Sequence, residues 1–124
     1  MAVKRKVLVV DDEPSVCEGI ELVLAPAGFE VKKALKGEDA IKLIEREDFD
    51  VVLMDLIMPV MDGVEAFRRV REIDPRAKVL LCSGYSREER AEDLIAQGAV
   101  GFLEKPFDMS VLARTISALS NEAT

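Results

Sequence analysis

Histidine is absent from this chain, and cysteine occurs only twice, at Cys17 and Cys82. The two cysteines are too far apart for a CxxC motif, so the common zinc-ligand patterns are missing. Cys17 falls in a predicted helix, and Cys82 falls at the end of a predicted buried strand. We therefore expect both thiols to be small core residues rather than a disulfide or zinc ligands.

Long hydrophobic runs are missing as well. The basic amino-terminal start is followed by Val7 to Val10, an apolar stretch shorter than the hydrophobic region of a signal peptide. No run in the sequence approaches the length that spans a membrane. These absences predict a soluble cytoplasmic protein without a membrane partner.

The chain also has no excess of positive charge. Its 124 residues carry 17 basic and 24 acidic side chains, a net charge of −7, and the basic run Lys4 to Lys6 is short. This balance argues against direct nucleic-acid binding. The length fits a single domain, residues 1–124, with a core of about 5–119, a frayed tail at 120–124 and no room for a second effector domain.

Glycine-rich phosphate loops are the last notable absence. The sequence has neither a GxxxxGK motif followed by Ser or Thr nor a GxGxxG motif after its first predicted strand. These motifs place backbone N–H groups and a helix amino terminus around nucleotide phosphates. We therefore expect that no nucleotide is required.

Apolar β-branched segments alternate with segments of helical period, which is typical of βαβ units around a parallel sheet. The predicted strands are Lys6 to Val10, Glu30 to Ala34, Val51 to Met54, Lys78 to Cys82 and Gly101 to Glu104. The predicted helices are Pro14 to Ala25, Glu38 to Glu47, Val64 to Ile73, Arg87 to Gln97 and Met109 to Leu119. Because parallel crossovers are right-handed, the pattern predicts a doubly wound, flavodoxin-like α/β fold with a five-stranded parallel sheet in the order 2-1-3-4-5.

Four of the predicted strands end on polar residues that phosphoryl chemistry uses. These residues are Asp11 and Asp12, Asp55, Ser83 and Lys105. The carboxyl ends of parallel strands border the ligand crevice of an open sheet, so the four endings are expected to meet. Gathered carboxylates raise each other's pKa, and a hard divalent cation relieves that repulsion. The sequence therefore predicts a Mg²⁺ site, with Mn²⁺ as a substitute, and Lys105 facing a phosphate.

Structural roles are also open to these residues when each is considered alone. Asp11 and Asp12 suit the capping of the helix that Pro14 begins. An isolated Asp55 would most simply cap the loop before Pro59. The occurrence of all four strand endings in one chain favours a functional site.

Four motifs occur in order along the chain: VLVVDDEP, VVLMDLIMPVMDGVE, VLLCSGYS and GFLEKPF. Together they resemble the receiver domain of two-component response regulators over about residues 5–119. The resemblance implies that Asp55 is the phosphoacceptor. It also implies that Asp12 and the backbone carbonyl of Ile57 ligate Mg²⁺ directly, while Asp11 helps through ordered water.

The resemblance assigns further roles near the ends of the last two predicted strands. Ser83 would hydrogen-bond the phosphoryl group, Lys105 would pair with it, and Pro106 would follow a cis peptide bond. Phe102 matches the family's switch aromatic, which would turn inward as Ser83 moves toward the phosphoryl group. The output would pass through the face formed by the fourth helix, the fifth strand and the fifth helix. Candidate residues on this face are Arg87, Glu104 and Arg114.

The function implied by the resemblance is a phosphorylation-activated signalling switch. Asp55 would accept a phosphoryl group from the phosphohistidine of a partner histidine kinase or histidine phosphotransfer protein. The chain would not be an enzyme beyond its own phosphorylation and dephosphorylation. It would act on an unidentified output partner, as a monomer or a phosphorylation-dependent dimer, and either alone or as part of a larger regulator or hybrid kinase.

Two other functions stay open at the level of sequence. A haloacid-dehalogenase-like phosphatase also uses a nucleophilic Asp after a strand together with Mg²⁺, but it needs a second acid two residues later, where this chain has Ile57. A phosphorylation-independent interaction module is the other alternative. Such modules usually lose one of the carboxylates or the lysine, and this chain retains them all.

Overall fold

Strands and helices alternate along the chain in the computed structural model, which describes residues 4–58, 60–84 and 89–121. Within these residues the strands are Arg5–Val10 (β1), Phe29–Ala34 (β2), Val51–Asp55 (β3), Val79–Ser83 (β4) and Gly101–Glu104 (β5). The helices are Pro14–Leu24 (α1), Gly37–Arg46 (α2), Gly63–Ile73 (α3), Glu89–Ala96 (α4) and Met109–Asn121 (α5). None of the helices in this part of the chain is long and apolar enough to cross a membrane.

The strands form one parallel sheet in the order β2-β1-β3-β4-β5. This arrangement confirms the predicted doubly wound fold and strand order. In the ladder, Val10 pairs with Met54 and Asp55 pairs with Cys82. The register therefore brings the carboxyl ends of β1, β3 and β4 to the same edge of the sheet.

The core lies on both faces of the sheet, and β1 shows how the sequence divides between them. Leu8 and Val10 pack in a cluster with residues of α2, α3 and α4. Val7 and Val9 pack in a second cluster with residues of α1 and α5. Successive side chains of a strand point to opposite faces, so a continuous apolar run is what a strand covered on both faces requires.

Both cysteines are buried free thiols. They pack in the cluster under α1 and α5. Burial, followed by the charge of Asp11, raises the pKa of Cys17 to about 11, and burial raises the pKa of Cys82 as well. The expectation that the two cysteines are core residues is confirmed, and neither thiol is activated as a nucleophile.

Two strand ends extend beyond their predicted limits. The sequence pattern predicts that β3 ends at Met54 and β4 at Cys82, but each strand includes the next residue. Asp55 pairs with Cys82, and Ser83 pairs with Glu104. The two polar residues are therefore held by the ladder of the sheet rather than by the loops that follow.

The carboxyl-terminal helix also differs from its prediction. α5 continues to Asn121, two residues beyond its predicted end at Leu119. Lys78 Nζ donates to the carbonyl of Leu119 at 2.6 Å, and Arg5 donates to Ser120 Oγ at 3.4 Å. These contacts with the sheet hold the last turn. Residues 122–124 and the predicted start of α4 at Arg87 lie outside the described residues.

Candidate functional site

Three carboxylates meet at the carboxyl edge of the sheet. Asp11 directly follows β1 and is 2% exposed, while Asp55 ends β3 and is 4% exposed. Asp12 is exposed beside them. One carboxylate oxygen from each of these residues lies within 4.8 Å of the others. The fold thus brings together the three acidic residues that the sequence nominates, at a spacing that one cation can bridge.

Lys105 supplies positive charge to this cluster. Its Nζ lies 2.5 Å from Asp11 Oδ2 and 3.2 Å from Asp55 Oδ2. Lys105 is close to the strand ends as predicted, and here its ammonium group binds two carboxylates. One ammonium cannot neutralise three carboxylates, so the cluster keeps a net negative charge when all four groups are ionised.

Backbone N–H groups hold the second oxygen of each buried carboxylate. Glu13 N donates to Asp11 Oδ1 at 3.0 Å, and Ile57 N donates to Asp55 Oδ1 at 3.1 Å. Glu13, not an aspartate, is the N-cap residue of α1, and its own side chain makes no capping hydrogen bond to the described chain. The helix-capping interpretation of Asp11 and Asp12 is therefore wrong, because Asp11 turns toward its neighbouring loop and Lys105.

The pKa values in the cluster reflect burial and close charges. Burial raises the pKa of Asp55, and the Ile57 N–H and Lys105 offset this only in part. Burial lowers the pKa of Lys105, but its hydrogen bond to Asp11 and the negative charges around it raise the net value. The lysine consequently stays protonated and the Asp55 carboxylate is held at a cost in stability.

An open pocket of about 370 Å³ gives access to the cluster. The lining residues are Asp12, Glu13, Asp55, Ile57, Gly84 and Lys105. The side chain of Ile57 is exposed. Glu13 and Gly84 had no predicted role at this site, and the signal for them in the sequence is their position directly after the nominated residues Asp12 and Ser83.

Two other nominated residues lie on β4 and at the end of β5. Ser83 is completely buried, and its carbonyl accepts a hydrogen bond from Lys105 N at 2.7 Å. The peptide bond between Lys105 and Pro106 is cis. The hydrogen bond between Lys105 N and the Ser83 carbonyl joins the ends of β4 and β5, so the two residues lie side by side at this edge of the sheet.

Phe102 lies apart from the carboxylates. It is half-buried on β5 and packs against the core under α2, α3 and α4. A cavity of about 120 Å³ separates it from Ala91, Glu92 and Ile95 of α4. On the proposed output face, Glu104 and Arg114 are exposed, while Arg87 is outside the described residues.

The raised pKa of Asp55 predicts how stability depends on pH. Asp55→Asn should increase the free energy of unfolding at pH 7 in the absence of divalent cations, because the amide carries no buried charge. The folded protein binds a proton at Asp55 at higher pH than the unfolded chain does. In the unfolded chain the pKa of this carboxyl has its usual value of 3.8. The contribution of Asp55 to the free energy of unfolding is therefore fully present below the pKa of the unfolded chain. It is lost as pH rises through the pKa of the folded state. Urea unfolding from pH 3 to pH 8 measures the difference between the two proteins.

The gain of the variant over wild type should grow with pH. Asp39→Asn is the matched control, since Asp39 is a partly exposed carboxylate in the first turn of α2, and it should bring no such gain. Parallel pH profiles for wild type and Asp55→Asn would contradict the assignment of a raised pKa to Asp55.

Comparison with known proteins agrees with the fold. The response regulator receiver domain family matches residues 7–117. The chemotaxis protein CheY of Thermotoga maritima is 32% identical over 117 residues, which cover 94% of this chain and 98% of that protein. The sensor kinase CckA of Brucella abortus is 36% identical over 115 residues, but these are 91% of this chain and only 12% of the kinase.

A solved structure gives the same result in three dimensions. The crystal structure of a CheX-CheY-BeF3-Mg²⁺ complex from Borrelia burgdorferi contains a chain with a TM-score of 0.84 and 30% identity, covering 92% of this chain and 88% of that one. Receiver domains are signalling switches of two-component systems, not enzymes in the usual sense. The family match covers most of the chain and includes every strand-end residue of the pocket. The chain therefore belongs to the response regulator receiver domain family.

Proposed function

We propose that this receiver domain is a Mg²⁺-dependent phosphoacceptor switch in which Asp55 accepts the phosphoryl group. The observation that carries the proposal is the placement of the Asp55 carboxylate in an open pocket beside Lys105 and Asp12. A nucleophilic carboxylate needs access from outside and positive charge beside the transferred group. This pocket offers both.

The donor set fits Mg²⁺, which prefers carboxylate and carbonyl oxygens and keeps several waters. Asp11, Asp12 and Asp55 bring oxygens within 4.8 Å of one another, and their net negative charge favours a divalent cation. We assign Asp12, Asp55 and the carbonyl of Ile57 as direct ligands and Asp11 as a ligand through water. When bound, the ion would neutralise charge on the oxygens of the transferred phosphoryl group. Mn²⁺, with similar oxygen preferences, is the proposed substitute.

The protein residues would carry out the transfer as follows. A carboxylate oxygen of Asp55 forms a bond to phosphorus, and the P–N bond of a phosphohistidine on the partner breaks. The imidazole, protonated on its other nitrogen, leaves as a neutral ring, and the product on this chain is an acyl phosphate. Lys105 then gives up its contact with Asp55 and binds a phosphoryl oxygen. The Ser83 hydroxyl donates a hydrogen bond to a second phosphoryl oxygen.

The output would be a shift between two conformations. Contacts of the phosphoryl group with Ser83 and Lys105 favour a state in which Ser83 moves toward the pocket and Phe102 turns inward. The phosphoryl group can shift this equilibrium only by the difference in its interactions with the two states. The cavity between Phe102 and α4 supports the proposal, because it leaves space next to the aromatic ring for a rearrangement.

The proposed partners follow from this chemistry. The donor is a histidine kinase or a histidine phosphotransfer protein, and the output partner binds the face formed by α4, β5 and α5. Exposed Glu104 and Arg114 are the candidate contacts on that face. We propose a cytoplasmic protein that is monomeric or forms a dimer on phosphorylation.

Intact-mass measurement after incubation with acetyl phosphate tests the proposed function. We expect a gain of one phosphoryl group, about 80 Da, in the presence of Mg²⁺ and no gain when the cation is removed with EDTA. Peptide mapping after borohydride reduction should place the modification at Asp55. Labelling that is equally strong in EDTA, or that maps to another residue, would overturn the proposal. So would the absence of both labelling and Mg²⁺-dependent binding of beryllofluoride, a mimic of the phosphoryl group.

A further inference from the structure

Gly63, the first residue of α3, makes an unusually close approach to the end of β3. A Cβ atom added to Gly63 would lie 2.3 Å from the carbonyl oxygen of Asp55 and 2.5 Å from the Cα atom of Leu56. Both contacts are with backbone atoms, which no side-chain rotation can move. The absence of a side chain at Gly63 therefore determines how close α3 can come to the residue proposed as phosphoacceptor.

Space, not backbone conformation, accounts for glycine at this position. Among the described glycines, Gly28 and Gly98 are the two with positive φ. Gly37 and Gly101 also have close neighbours, but these are side-chain atoms, at 2.8 Å for Met61 Sδ and 3.3 Å for a Leu80 methyl group. Such atoms can yield by rotation, whereas the backbone of β3 cannot yield without moving Asp55.

Hydrogen bonds connect Gly63 to the same segment. Gly63 N donates to the Leu56 carbonyl at 3.0 Å, and Leu56 N donates to the Cys82 carbonyl of β4 at 2.9 Å. The next amide, Ile57 N, donates to the Asp55 carboxylate. The segment that contains Asp55 and Ile57 is thus held between β4 on one side and the start of α3 on the other.

The described parts of the connection between β3 and α3 are anchored at both ends. Met58 and Met61 are buried, and the Asp62 carboxylate caps α3 by accepting from Glu65 N at 3.1 Å. Val60 lies between them with a φ of 68°, which is strained for a β-branched residue. The two buried methionines and the Asp62 cap anchor the described part of this connection where it joins α3 at Gly63.

We propose that Gly63 is a positioning residue that sets the location of the Asp55 carboxylate and the Ile57 carbonyl relative to Asp12 and Lys105. The inference rests on the proposed function. A methyl group at Gly63 must displace the end of β3 or the start of α3 by about 1 Å to reach an ordinary van der Waals distance. A misplacement of that size in a reacting group can cost about 100-fold in rate.

Gly63→Ala tests this inference against two matched variants. Gly101→Ala makes the same substitution at the start of β5, against a movable side chain. Val70→Ala truncates a fully buried side chain of α3. It controls for any loss of stability in Gly63→Ala, because it destabilises the fold without changing a residue of the pocket. The readouts are the Kd for Mg²⁺ by calorimetry, the amide chemical shifts of residues 55–57 without cation, and the rate of labelling by acetyl phosphate.

We expect Gly63→Ala to shift the amide resonances of residues 55–57, raise the Kd for Mg²⁺ about tenfold and slow labelling about 10- to 100-fold. Gly101→Ala and Val70→Ala should keep the wild-type Kd and rate. If Gly63→Ala does not fold in buffer, trimethylamine N-oxide favours its compact state, and all four proteins are compared in that solution.

The outcomes separate this inference from the proposed function. Wild type that binds Mg²⁺ and is labelled, together with Gly63→Ala of the same Kd and rate, would overturn the positioning role alone. A loss of affinity in Val70→Ala equal to that in Gly63→Ala would also overturn it, since lower stability would then explain both. Wild type that neither binds Mg²⁺ nor is labelled would overturn the proposed function and this inference with it.

Discussion

Asp55→Asn should reduce labelling by acetyl phosphate to background. The amide has nearly the shape of the carboxylate but lacks an anionic oxygen to attack phosphorus. Its carbonyl can still accept the hydrogen bond from Ile57 N that the carboxylate accepts at 3.1 Å. The substitution thus removes the nucleophile while preserving the local backbone, and intact-mass spectrometry at several times measures the result.

The stability of this variant makes its labelling easy to interpret. Because burial raises the pKa of Asp55, removal of the charge should stabilise the fold at neutral pH, and unfolding cannot account for lost labelling. Asp62→Asn is the matched control. Asp62 caps α3 next to the pocket, and Asn is an equally good N-cap, so this variant should be labelled like wild type. Full labelling of Asp55→Asn would show that another residue accepts the phosphoryl group.

Lys105→Met should have the largest effect on stability among single substitutions in the pocket. The ammonium contacts two buried carboxylates, and its loss leaves them side by side without a counter-charge. Breaking one side of such a buried pair typically costs several kcal/mol. Since the Lys105 side chain keeps 19% exposure, we expect a loss of about 2–4 kcal/mol at pH 8. Urea unfolding without divalent cations measures it.

The same variant should separate cation binding from phosphoryl transfer. Lys105 competes with a divalent cation for Asp11 and Asp55, so its removal should tighten Mg²⁺ binding by about tenfold. Labelling by acetyl phosphate should nevertheless become slower, because the transferred group loses its ammonium partner. Calorimetry and intact-mass kinetics on one preparation test the two opposite changes.

Lys6→Met provides the comparison for Lys105→Met. Lys6 pairs with Glu47 where both side chains are about one-quarter exposed, and such partly solvated pairs contribute little. Its loss should cost much less stability and leave Mg²⁺ affinity unchanged. Equal effects of the two substitutions, or weaker Mg²⁺ binding in Lys105→Met, would mean that Lys105 does not compete with the cation at the carboxylates.

Periodicity in the sequence was sufficient to predict the fold. The apolar run at Val7 to Val10 is continuous because its alternate side chains enter two different clusters. The edge strand β2 departs from this pattern. Its Lys32 and Lys33 are exposed, because an edge strand has a neighbouring strand on one side only. Element ends were less predictable, since Asp55 and Ser83 belong to their strands through pairing with residues elsewhere in the chain.

The sequence by itself also determined which chemical groups would meet. Parallel strands place their carboxyl ends at one edge, so the polar residues at the carboxyl ends of β1, β3, β4 and β5 were bound to converge once the topology was known. Residue type then indicated a cation site, because clustered carboxylates require positive charge. These conclusions needed only the order of the strands and the identity of the polar residues at their carboxyl ends.

Only the tertiary structure decided how these groups pair. Lys105 is 94 residues from Asp11 and 50 from Asp55 in sequence, and it lies closer to the first than to the second. Gly63 contacts the backbone of Asp55 through the packing of α3 against β3. No local pattern encodes such distances, because they result from side-chain volumes summed across the whole core. The sequence thus determined the chemistry of the pocket, while packing determined its geometry.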